Sequence, residues 1–148
     1  MSMKEACPCG GGLRASCCGP FLDGGARPAT AETLMRSRYS AYVLSRALYL
    51  CDSWHPRTRP VSIDLDDRAT WLGLSVLSHE QVDDTHATVE FVARFRERGA
   101  VKKLHELSRF ETLRDRWLYV DGDLIDLGPA NRRVDRVALR PGGIEGST

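Results

Sequence analysis

The chain has 148 residues, the size of one domain by the rough prior of ~150 residues each and long enough for a single buried core. Twenty-one Lys and Arg stand against 20 Asp and Glu, a formal net charge of +1, which argues against nucleic-acid binding by bulk charge and leaves only local charge to act. No run approaches the ~18 apolar residues of a membrane span, and Met1 to Glu5 lead into no apolar stretch, so no secretory signal and a cytoplasmic location are expected.

Residues 1–28 are rich in Gly and Cys, with Gly10-Gly11-Gly12, Gly19-Pro20 and Gly24-Gly25 as breakers. Alone this segment cannot bury a core. From Thr30 the pattern turns helical: Thr30 reads as a cap, and Leu34, Met35, Tyr39, Tyr42 and Val43 recur at three- and four-residue steps to about Leu44. Ser45 reads as the cap of a second, shorter helix carrying Leu48, Tyr49 and Cys51, which stops near Trp54-His55-Pro56 because a proline disfavours helix in the residue before it. Asp64 reads as the cap of a third short turn that includes Trp71.

After Leu72 the period becomes two. Residues 88–95 alternate cleanly, and 72–82, 103–112 and 116–121 are likewise rich in branched and aromatic residues. Turn chemistry lies at Asp83-Asp84-Thr85, around Gly99 and at Arg114-Asp115, so short connections make the strands an antiparallel meander. Helices followed by such strands predict an α+β domain over 29–127, helices packed on one face of the sheet. Residues 128–148, with Pro129 and Pro141 and few apolar side chains, read as a polar, flexible tail.

The chain has five cysteines, and Cys7, Cys9, Cys17 and Cys18 fall within twelve positions while Cys51 stands apart. In a reducing compartment such clustering reads as a metal site before a disulfide framework. Four thiolates make the tetrahedral sulfur set that Zn²⁺ prefers, one ion per chain, and a saturated shell leaves no position for a reacting water. The metal is therefore expected to be structural. Free thiols, or a vicinal Cys17-Cys18 disulfide, are the alternatives; a redox role lacks the usual Cys-x-x-Cys at a helix start. Cys51, beside Leu50, reads as a small buried hydrophobe.

Cys7-Pro8-Cys9-Gly10 followed by Cys17-Cys18 resembles the small zinc motif called SEC-C, found at the C-terminus of the preprotein translocase ATPase. Here the gap from Gly10 to Ser16 is seven residues without an aromatic, where the motif has eight. Leu34 to Tyr42, Trp54-His55-Pro56, Thr88 to Ala93, Leu107 to Phe110 and Trp117 to Gly122 are similar to the bacterial YchJ family of uncharacterised proteins. That resemblance implies an NTF2-like (cystatin-like) fold, a curved antiparallel sheet wrapped over N-terminal helices, with residues 1–28 as a SEC-C-like clasp. It also implies a possible homodimer, since NTF2-like sheets often pair.

NTF2-like proteins often enclose a pocket, and some are isomerases, dehydratases or hydrolases. Strand parity puts His105 and Arg109 on one face with Leu107, and Glu106 and Ser108 on the other with Leu104 and Phe110, so some polar group is buried whichever face is covered. If His105 and Arg109 face inward they can meet Asp52 or His55; if Glu106 does, Glu90 can join it. Arg36 or Arg38 can equally supply a structural partner. No nucleophile, base and orienting group come together, so no catalytic residue is assigned. The expected function is a non-enzymatic interaction module whose clasp docks on a protein or ribonucleoprotein partner, as the translocase motif is associated with a chaperone and ribosomes. A small-molecule site or enzyme using Asp52, His55, His105, Glu106 and Arg109 is the alternative. Nucleic-acid contact through Arg132, Arg133, Arg136 and Arg140 is weakened by Asp135 and Glu145 among them.

Overall fold

Thr30 does cap the long helix, its hydroxyl accepting from the Thr33 amide at 3.1 Å. In the computed structural model, which describes residues 5–63, 65 and 69–125, the chain forms α1 (Gly19–Asp23), α2 (Ala31–Val43) and α3 (Ala47–Asp52). Four strands follow, β1 (Ala69–Asp83), β2 (His86–Glu97), β3 (Ala100–Leu113) and β4 (Arg116–Leu124). Among the described residues they make one antiparallel sheet in the order β1-β2-β3-β4, with the helices on one face. The expected α+β meander is thus present. Asp64 and the segment 128–148 with its arginines lie outside the described residues.

Two local readings are corrected. Ser45 does not cap α3; it sits at φ 59°, ending α2 in the left-handed region, and the cap position is Arg46, which makes no side-chain cap bond. Trp71 belongs to β1 rather than to a helical turn, because its ring packs against Phe95 on the neighbouring strand (5.5 Å between centroids) and edge-on against Tyr39 of α2 (5.7 Å). Propensity alone does not separate the two states; the aromatic partners do.

All four strands run further than the alternation suggested. In β1 the register slips at Trp71/Gly73, Val76/Ser78 and Gln81/Asp83. Each bulge inserts one residue without a partner, and the inserted ones, Leu72, Leu77 and Val82, are 43%, 52% and 60% exposed. These slips explain why the alternation is broken along β1. They also twist an edge strand that would otherwise be a flat template for pairing.

The turn at Gly99 settles which face of β3 is covered. Arg98 and Gly99 both have positive φ, as do Arg114 and Asp115, so both hairpins close through two-residue primed turns matching the strand twist. Glu97 therefore pairs with Ala100 and Phe91 with Glu106. Leu104, Glu106, Ser108 and Phe110 point under the helices; His105, Leu107 and Arg109 point away. The core is filled by Leu34, Met35 and Tyr39 from α2, by Val89, Phe91 and Phe95 from β2, and by Leu104 and Phe110 from β3.

Among the described residues, one cation is buried. Arg38 of α2 is 5% exposed; its Nη1 donates to the Leu50 carbonyl at 2.9 Å and to Ser53 Oγ at 2.6 Å, which places positive charge on the C-terminal carbonyls of α3. The guanidinium also lies over the rings of Trp54 and Tyr119, at 4.9 and 4.6 Å. The segment after α3 is stitched to β4 beside it, His55 N to Tyr119 O at 2.8 Å and Tyr119 N to Ser53 O at 2.9 Å. Arg38 thus ties α2, α3 and β4 at a single point. No helix among the described residues is long and apolar enough to cross a membrane.

Candidate functional site

The four N-terminal cysteines meet. A short hairpin bridges Ala6 and Leu13, and the Cys7 amide reaches back to the Gly12 carbonyl at 2.7 Å, turning Cys7 and Cys9 toward the same point. A 3-10 turn over Arg14–Ser16 then delivers Cys17 and Cys18, and Cys18 sits at the start of α1, where its carbonyl accepts from Phe21 and Leu22. The sulfurs all lie within 4.8 Å of one another. Three separations are 3.4 Å (Cys9–Cys17), 3.7 Å (Cys9–Cys18) and 4.0 Å (Cys17–Cys18). A tetrahedron with Zn–S bonds of ~2.3 Å has edges of about 3.8 Å, so the sulfurs have the spacing of a tetrahedral thiolate site. None of the five cysteines forms a disulfide.

Seven residues suffice between Cys9 and Cys17 because Gly11 has no side chain. A Cβ there would lie 2.8 Å from Cys17 Sγ and 3.3 Å from Cys9 Sγ, so any other residue would push the sulfurs apart. The group is anchored on α2: Cys7 Sγ lies 3.5 Å from Ser40 Oγ, and Arg36 Nη1 donates to the Cys9 carbonyl at 3.1 Å. Cys7, Cys9 and Cys18 are buried and belong to the main apolar cluster. Cys51, half-buried on α3, is not part of the group.

The thiols titrate as an interacting set, and Arg36 is the cation that interacts with the Cys9 thiolate. Hydrogen bonding from Cys18 brings Cys9 down to about 5. Burial, then the hydrogen bond and charge of Cys9, push Cys17 up to about 12, and Cys18 is raised too, chiefly by its hydrogen bond to Cys9. One thiolate is accommodated by its neighbours' protons; a second needs a cation in their place. The donor set, its spacing and its electrostatics all fit a thiophilic divalent ion. Four cysteines this close could hold a metal, and nothing in the arrangement leaves a coordination position open.

Asp23, at the end of α1, fastens the clasp to the domain. Its carboxylate accepts from Arg46 at 2.6 Å and lies 3.7 Å from Arg14. Arg46 first, and Arg14 after it, hold the Asp23 carboxyl below its usual range. A carboxyl depressed in the folded state adds stability above its unfolded pKa and loses it as pH falls through the folded value. Arg46→Met is expected to return the Asp23 titration, followed by NMR, toward ~3.9. The loss at neutral pH should stay under about 1 kcal/mol, because the pair is well solvated.

The five sheet-pocket candidates do not share a cavity. His105 is on the outer face, its Nε2 2.7 Å from Glu90 Oε2, so Glu90 pairs with His105 and not with Glu106. Arg109, on the same face, binds Asp121 at 2.6 Å and Asp123 at 2.8 Å, and these carboxylates raise its pKa, Asp123 foremost. His55 turns toward Glu111 at 3.9 Å, whose carboxyl is held low mainly by its paired hydrogen bonds from Arg57. Asp52 is exposed at the end of α3. Glu106 alone points inward, 1% exposed, its Oε2 accepting from Ser108 Oγ at 2.9 Å and from the Tyr119 hydroxyl at 3.1 Å. Gly122 lies directly against that carboxylate, which a Cβ would overlap.

Around Glu106 is a cavity of about 30 Å³, walled by Arg38, Tyr39, Tyr42, Trp54, Phe91 and Tyr119 among others. The Trp54 indole N–H is buried without a hydrogen-bond partner. A water needs ~10–15 Å³ on this measure and benzene fills an engineered cavity of about 150 Å³, so the space suits one or two waters. Sequence parity offered Glu106 as one of two alternative inward groups and gave nothing of the Arg38–Trp54–Tyr119 stack beside it. Only the equal standing given to Arg36 and Arg38 as structural partners hinted at it.

Comparison with known proteins agrees with this geometry. The family description "YchJ, middle NTF2-like domain" matches residues 30–122. A UPF0225 protein of Ralstonia nicotianae is 56% identical over 131 residues, covering 80% of this chain and 91% of that protein. One of Polaromonas naphthalenivorans is 48% identical over 134 residues, covering 82% and 98%. The solution structure of a SEC-C motif containing protein from Rhodopseudomonas palustris superposes with a TM-score of 0.74 at 36% identity, over 82% of this chain and 99% of the other. A crystal structure of a SEC-C motif containing protein from Psychrobacter arcticus gives 0.73 at 29% identity, over 87% and 88%. With the domain model matched over residues 30–122 and relatives about half identical along most of their length, the chain belongs to the UPF0225 family and carries the YchJ-type NTF2-like domain.

Proposed function

We propose that this protein is a zinc-clasped interaction module of the cytoplasm, in which one structural Zn²⁺ per chain, held by Cys7, Cys9, Cys17 and Cys18, fixes the N-terminal segment against the NTF2-like domain for a protein or ribonucleoprotein partner. The carrying observation is the cluster of four sulfurs within 4.8 Å of one another, three of its cysteines buried in the apolar core. A catalytic zinc keeps one ligand position for water or substrate, whereas four protein thiolates close the shell. The SEC-C motif in the solved relatives supports the same assignment.

The test combines metal analysis with partner capture. Protein purified without chelator should carry close to one zinc per chain, and Cys17→Ser/Cys18→Ser should lose both the zinc and the captured partner while keeping the strand signal in circular dichroism. Identical capture by both proteins, or none by either, sinks the reading. A small-molecule site around Glu106 is favoured by the unpartnered Trp54 N–H, but a space of about 30 Å³ restricts any occupant to water or a few heavy atoms.

A further inference from the structure

We infer that the groove between the clasp and the start of β4 is the partner-binding surface, and that it takes a short acidic peptide bearing a large apolar side chain; this rests on the interaction-module reading above. The groove has a volume of about 400 Å³, inside the ~300–1,000 Å³ range of ligand sites, which favour such junctions. One wall is the clasp side, Phe21 to Pro28; the other is the domain, with Leu34, Leu48 and Trp117. Leu48 is 81% exposed, a large apolar side chain left in water at the edge of a concave surface.

Charge selects the occupant. Arg27 and Arg116 line the groove, and neither has an acidic partner among the described residues. Asp23 is already shared between Arg46 and Arg14, and Asp52 is the remaining carboxylate of the lining. Within the lining two guanidiniums thus stand beside two carboxylates, but Asp23 is already neutralised by Arg14 and Arg46 from outside the groove. This leaves Arg27 and Arg116, with forks suited to bidentate carboxylate binding, against Asp52 alone. The outer sheet face differs: Arg109 is consumed by Asp121 and Asp123, and Glu90 by His105. Arg96, Arg98 and Lys103 are exposed too, but they stand on or beside a hairpin tip rather than over an apolar floor.

The groove also links recognition to the metal. Phe21 and Leu22 are held by the Cys18 carbonyl at 3.0 Å each, so releasing the Cys18 sulfur loosens a wall of the site.

Random linear peptides displayed on phage are panned against the zinc-loaded full chain, and a fluorescein-labelled copy of the enriched sequence is titrated by fluorescence polarisation. Enrichment of Leu, Phe or Trp next to Asp or Glu is expected. Arg27→Glu and Arg116→Glu should each weaken binding about tenfold or more, the value of a lost charge-assisted contact, and Lys103→Glu should leave it unchanged. No acidic and apolar enrichment, or affinity indifferent to both reversals, overturns the groove. If affinity is indifferent to those reversals yet lost in Cys17→Ser/Cys18→Ser, the groove is wrong and the clasp reading stands. Indifference to all of them removes both.

Discussion

Arg38→Met is expected to destabilise the fold by about 3–5 kcal/mol, the range for breaking one side of a buried charged network. The substitution removes two hydrogen bonds at the end of α3 and the stacking on Trp54 and Tyr119. It also withdraws the positive charge that acts on the buried Glu106. Burial lowers the Arg38 pKa, but an arginine starts so high that the group stays charged at any working pH. Urea denaturation reads the loss. Arg38→Lys should recover little, because an ammonium cannot lie flat between two rings and span both acceptors. Adding Glu106→Gln to Arg38→Met should return part of it, since the uncompensated carboxylate is then neutral. A loss below about 1 kcal/mol, typical of exposed polar positions, would mean that the internal cation contributes no net stability.

Chelating the metal is expected to have the larger effect. Structural zinc sites supply on the order of 10–16 kcal/mol of apparent binding free energy, and on the proposed reading that energy would order a glycine-rich segment. The direct readout is thiol accessibility. In the zinc-loaded chain Cys51 alone should react with a thiol reagent, and after chelation all five cysteines of the chain should react. Amide exchange should accelerate across the clasp and the adjoining face of α2, where Ser40 and Arg36 hold Cys7 and Cys9. The paired centre of β2 and β3 should stay protected, because its contacts do not pass through the sulfurs. Five reactive thiols before chelation would contradict a metal-bound clasp.

The features legible in the sequence were those written in local chemistry. Thr30 caps its helix with its own hydroxyl, Arg114-Asp115 forms a two-residue turn, and four closely spaced cysteines come together in space. What stayed hidden depended on partners distant in the chain. The register of β3, and with it the side on which Glu106 falls, was set by whether the turn at Gly99 held two residues or more. Trp71 looked helical until its neighbours Tyr39 and Phe95 placed it in a strand. The bulges at Leu72, Leu77 and Val82 erased the alternation that identifies β2 at once. Asp52, His55, His105, Glu106 and Arg109 have the residue types of an active site, yet the fold sends them to separate places. Residue type is a local property, and convergence is not.

The burial of Cys7, Cys9 and Cys18 within the apolar core has a kinetic consequence. A competing ligand in solvent could approach an ion held by the four sulfurs only past the half-buried Cys17, so full release is expected to require the clasp to lift from α2. Metal exchange would then report on local opening, and the lifetime of a bound ion would be a clock for how often this end of the molecule breathes.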